Sequence, residues 1–97
     1  MSEYEKLATC IGSRAHRHVV WSKFRISSQR AKGDYKNKHG PIYIFHNICR
    51  MIAIKFSGTN IKSKDEYRKL SFETGLSQND LQKLEMEVLE AIDWRIM

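Results

Sequence analysis

The sequence predicts an all-α fold, a bundle of about four helices, and three observations carry that expectation. Apolar residues over 42–56 and over 77–94 recur at helical spacing. Both runs are longer than the roughly 4–8 residues of an ordinary strand, so the β-branched content of the first does not make it one. The chain also has 97 residues, 41% of them apolar and 29% charged, which suits one small globular domain over residues 1–97 with a modest core.

Each element follows from local pattern. Residues 3–11 are expected to form a short helix with Tyr4, Leu7, Ala8 and Ile11 on one face, loosened by Gly12 and Ser13. A second helix is expected over 15–29, although its apolar residues split into two arcs, one with Val20, Trp21 and Phe24, the other with Val19 and Ile26. Residues 30–41 read as a loop, with Gly33, Asp34, Asn37, Gly40 and Pro41 among basic residues. Residues 42–56 read as a buried helix and 57–64 as a second loop. Residues 65–74 hold a short helical turn or two, closed by Gly75. Ser77 is then a natural N-cap, and Asp80 favours the first turn of a helix that runs to about Trp94.

On a helical wheel two ionisable residues fall inside apolar arcs. Leu81, Leu84, Val88, Leu89 and Ile92 share one arc of the last helix, and Glu85 sits between Ile92 and Leu89. Gln82, Lys83, Glu87, Glu90 and Asp93 fall outside it. In 42–56, Lys55 lies within the arc of Ile44, Phe45, Ile48, Cys49, Met51, Ile52 and Phe56. A charge on a buried face is costly unless paired. Two exceptions of opposite sign imply that Lys55 and Glu85 meet, or point at one site. The alternative is that each lies at the edge of its arc and reaches solvent.

These residues also carry a family resemblance. The segment from Arg50 to Lys55 and Phe56 resembles the cyclin-box signature in which a helix ends in small residues, a lysine and an aromatic. Gly75-Leu76-Ser77, then Leu81, Leu84, Glu85 and Leu89, then Asp93, Trp94 and Ile96, resemble the corresponding run of the P/U-type cyclins. Asn47 and Arg50 fit the start of the same helix in that group. The likeness covers residues 42–97. It implies a shortened, partial cyclin box that lacks a fifth helix and is centred on 42–56. It also implies a regulatory role, binding and activating a cyclin-dependent protein kinase, or as a truncated relative binding one without activating it, with no catalytic residue and no cofactor. Lys55 and Glu85 match the pair that contacts the kinase, and Phe56, Trp94 and Ile96 match apolar positions that complete the docking surface. The chain departs from the family over 20–26, where the aspartate of the second helix is missing.

Other function classes find less support. There is no P-loop and no GxGxxG run. Cys10, Cys49, His16, His18, His39 and His46 lack zinc-finger spacing, so no metal is expected. The two cysteines suit a cytosolic or nuclear setting. No run approaches the roughly 20 apolar residues of a membrane span. Residues 1–50 carry ten Lys/Arg and three Asp/Glu, against seven and eight over 51–97. This asymmetry leaves an alternative, a small basic helical protein that binds nucleic acid through Arg25, Arg30, Lys32, Lys36 and Lys38 with Tyr35.

Overall fold

Helical spacing alone places the core on one helix, and the architecture follows from how the others cover it. The computed structural model describes residues 3–31, 40–57 and 63–95. Among these the elements are five α-helices: α1 (Glu3–Ala15), α2 (Trp21–Arg30), α3 (Gly40–Phe56), α4 (Ser63–Thr74) and α5 (Gln78–Ala91). Helix α3 packs against all four others. It buries Ile44, Phe45, Ile48, Cys49, Met51, Ile52, Ala53 and Ile54. At about 1.5–3 kcal/mol for each large apolar side chain fully removed from water, this helix supplies much of the hydrophobic stabilisation.

The count of five corrects the expectation of about four helices, because 63–74 is a full helix. Its pattern is sparse, but Tyr67, Leu70 and Thr74 are buried at i, i+3 and i+7. Asp65 and Glu66 also stand in its first turn, where negative charge suits the helix dipole. Gly75 ends the helix at φ 75°, a conformation that a side chain would strain. The Thr74 hydroxyl donates to Leu70 O at 2.7 Å and accepts from the Leu76 amide at 3.2 Å.

The first two helices also differ from expectation. Helix α1 does not loosen at Gly12 but continues to Ala15. Ile11 and Ala15 are both fully buried, which outweighs the glycine penalty. A Cβ at Gly12 would lie 3.8 Å from Cys49 Sγ and 3.9 Å from a Phe45 ring carbon. Tyr4 meanwhile lies against Arg50, so α1 runs antiparallel to α3. The expected second helix starts six residues late, at Trp21, because residues 16–19 make a turn. The amides of His18 and Val19 both donate to Ala15 O, and Trp21 Nε1 donates to His16 O at 3.1 Å. Trp21, Phe24 and Phe45 then stack, with ring centroids 4.9–5.7 Å apart, and fix α2 to α3.

Helix α5 begins as the sequence requires. Ser77 is its N-cap and accepts from the Asp80 amide at 3.1 Å. It ends at Ala91, short of Trp94. The Trp94 amide donates to Leu89 O and the Asp93 amide to Glu90 O, the paired bonds of a Schellman turn. Asp93 (φ 55°) and Trp94 (φ 59°) are both left-handed, so neither continues the helix.

Candidate functional site

Helices α3 and α5 bring the two flagged charges together. Lys55 Nζ lies 3.3 Å from Glu85 Oε1. Glu85 is buried because it shares a face with Leu81, Leu84, Val88 and Leu89, which are buried as well. Its side chain keeps 6% exposure, while that of Lys55 keeps 49%. The wheel placed Lys55 inside the apolar arc, but Lys55 is an exposed residue. The wheel assumes covered flanks along the whole helix, and Lys55 stands in the last turn of α3, where cover thins. Phe56, the next residue, is likewise exposed, at 53%. The pair therefore forms a surface site in which a buried carboxylate is met by a half-exposed ammonium.

Trp94 is exposed as well, in the turn that follows α5. Six residues separate Glu85 from the end of α5, about 9 Å of helix axis, and Trp94 lies beyond that end. Ile96 lies outside the described residues. Of the five residues matched to the docking surface, Lys55 and Glu85 are in contact, Phe56 adjoins Lys55 in sequence, and Trp94 is set at the far end of α5.

A second buried carboxylate escaped the wheel, which put Glu87 outside the apolar arc. Glu87 is 7% exposed. Its Oε1 accepts from the Val20 amide at 2.9 Å, and its Oε2 meets Lys23 Nζ at 2.8 Å. Burial pushes its carboxyl pKa up, but the Lys23 ammonium and the Val20 amide together outweigh that and lower it. Lys23 is raised in turn by its hydrogen bond to Glu87. A signal for this arrangement was present in the sequence. Val20 is the N-cap of α2 and has no side-chain oxygen, so an open amide there calls for an acceptor from elsewhere.

Arg50 joins three helices. Its Nη1 bonds Glu66 Oε2 at 3.0 Å, and its guanidinium lies 5.5 Å from the Tyr4 ring centroid. Arg14, on α1, donates to Arg95 O at 2.7 Å. Cys10 is exposed, whereas Cys49 is buried, and burial pushes its thiol pKa up to about 12. Among the described residues no three His, Cys, Asp or Glu side chains group to hold a metal ion, and no helix is long and apolar enough to cross a membrane. Of the basic segment 25–38, residues 32–38 lie outside the described residues; Arg25 and Arg30 are exposed on α2.

Comparison with protein-family models, with curated proteins and with solved structures gives no match to this chain.

Proposed function

We propose that the protein is a cyclin-like regulatory subunit that binds a cyclin-dependent protein kinase. The observation that carries this reading is the Lys55–Glu85 pair, 3.3 Å apart, with exposed Phe56 next to Lys55 in sequence. Two separate lines lead to these residues, their misplaced charge on the wheel and their match to the kinase-contacting pair of the cyclin box. Helices α1, α2, α4 and α5 packed round α3 agree with the central place that the resemblance gives to 42–56. Phe56 and Trp94 are large exposed aromatics, the residue type that anchors protein interfaces. Trp94 stands exposed in the turn at the end of α5.

In this reading Lys55 and Glu85 contact the segment that leads into the mobile helix of the kinase. Holding that helix in place lets the catalytic Lys–Glu ion pair of the kinase form, which is how such a subunit activates without doing chemistry. Glu85 is already desolvated in the free chain, and a partner would desolvate Lys55. Lys55→Ala should then weaken kinase binding by about 2–5 kcal/mol, since it leaves a buried carboxylate unpaired. It should also lower the melting temperature of the free chain, because Glu85 stays buried there without its partner. Arg25→Ala, on exposed α2, should leave affinity unchanged. Titration calorimetry against purified cyclin-dependent kinases measures all three proteins. Equal affinities for the parent and Lys55→Ala chains would rule out the pair as interface residues.

A further inference from the structure

A second surface lies where the last turn of α1 meets the turn that closes α5. The cleft there has a volume of about 490 Å³ and is lined by Ser13, Arg14, Arg17, His18, Asp93 and Arg95, with Ala91 and Ile92 at its base. Its geometry is built rather than incidental. Arg14 is tied by its bond to Arg95 O, which leaves its other N–H groups available. Arg17 and His18 have no side-chain hydrogen bond or ion pair among the described residues. Arg95 has one carboxylate neighbour, Asp93 at 3.8 Å, and both side chains are largely exposed. An exposed pair of this kind contributes little and yields easily to a stronger anion.

Three guanidiniums thus face one carboxylate. The C-terminal ends of α1 and α5 would oppose an anion. Several of the end carbonyls accept turn amides, however, Ala15 O from His18 and Val19, Leu89 O from Trp94, and Glu90 O from Asp93, which weakens that opposition. The cleft therefore presents planar, always-charged forks with few acceptors to answer them. Such forks match the oxygens of a phosphate group, often two at a time.

We propose that this cleft, formed by Arg14, Arg17 and Arg95 between the ends of α1 and α5, binds a phosphorylated serine or threonine in an acidic segment of a partner protein. The phosphoryl group is a dianion with three acceptor oxygens, which suits three arginines lining one cleft better than a single carboxylate does. Nucleic acid fits less well. Firm binding to a nucleic acid at physiological salt draws on about 6–10 phosphate contacts, and this cleft supplies three cations in a confined space rather than along a track. The site does not rest on the kinase reading. His16, in the turn beside Arg17, packs on Phe45, which precedes Lys55 by ten residues, about 15 Å along α3. The two surfaces adjoin at Trp94, which stands between Asp93 and Arg95 in the turn after α5.

The test uses the full chain, isotope-labelled, with an acidic peptide carrying one phosphoserine as probe. The same peptide with plain serine and a single-stranded oligonucleotide are the comparisons, all at physiological ionic strength. The phosphopeptide should bind about tenfold or more tightly than the serine form, and should shift the amide resonances of residues 13–18 and 91–95. Arg17→Glu, an exposed and unpaired position, should lower phosphopeptide affinity about tenfold or more while the remaining spectrum is preserved. Arg25→Glu makes the same charge change on α2 and should have little effect. Equal binding of the two peptides, equal losses in the two variants, or tighter oligonucleotide binding at the same resonances would overturn the proposal.

Discussion

Glu87 shows how a single side chain can set the start of a helix that is 67 residues away in sequence. Helix α2 opens with Val20, which cannot cap it, and the Glu87 carboxylate takes the Val20 amide instead. Lys23, one turn into α2, closes the other oxygen. Replacing Glu87 with Ala should cost about 1–2 kcal/mol, through a lost charge-assisted bond and an amide left without its acceptor. Glu87→Gln keeps an acceptor for Val20 and should cost less. The pH dependence has a definite sign. The folded carboxyl lies below its ordinary value of 4.5, so its contribution is complete above that value and fades as the pH falls through the lowered folded pKa. Urea unfolding of the parent and Glu87→Gln chains, from neutral pH downward, should show a gap that closes in acid. A gap that stays constant with pH would mean that the charge contributes nothing. The wheel could not find Glu87, because a wheel describes one helix and the partner here is the amide of another. Glu85 was found because its neighbours on the same helix are apolar.

Elements were legible where their signals are local. Ser77 with Asp80 placed the start of α5, and the dense apolar run placed α3 within two residues of each end. Boundaries failed where tertiary contacts decide them. Asp93 and Trp94 end α5 through a Schellman turn with no glycine to announce it. Helix α4 was underestimated because half-polar helices depend on a neighbour for their stability. Gly12 was read as a break because glycine is a poor helix former, yet the packing of α1 on α3 carries the helix through it. That packing has room to spare. A Cβ at Gly12 would stand at 3.8–3.9 Å from Cys49 and Phe45, ordinary van der Waals contact. Gly12→Ala should therefore stabilise the chain by about 0.5–1 kcal/mol, through better helix propensity and a less flexible unfolded chain. Denaturant unfolding measures it. A loss of stability would show that α1 and α3 approach more closely than these distances allow.

At the scale of the whole molecule, one core draws on all five helices, from Ile11 in α1 and Phe24 in α2 to Leu70 in α4 and Val88 in α5. No helix can leave without exposing α3, so unfolding should be a single cooperative transition. A partner that binds only the folded chain must then stabilise all of it. A kinase present at about 100 times its dissociation constant would add about 2.7 kcal/mol. In a domain of this size each kcal/mol moves the midpoint by about 4–8 °C, so the expected rise is roughly 10–20 °C. The chain can be followed separately from its partner, because exposed Cys10 will take a maleimide dye while buried Cys49, with its thiol pKa near 12, will not. Lys55→Ala should melt below the parent when alone, since Glu85 loses its partner, and lose most of the rise when kinase is added. The phosphopeptide should produce its own rise in the Lys55→Ala chain, since Lys55 does not line its cleft. A melting midpoint unmoved by saturating kinase in the parent chain would remove the kinase reading and leave the phosphopeptide cleft standing. Two separate transitions in the free chain would instead show that α3 does not tie the five helices into one unit.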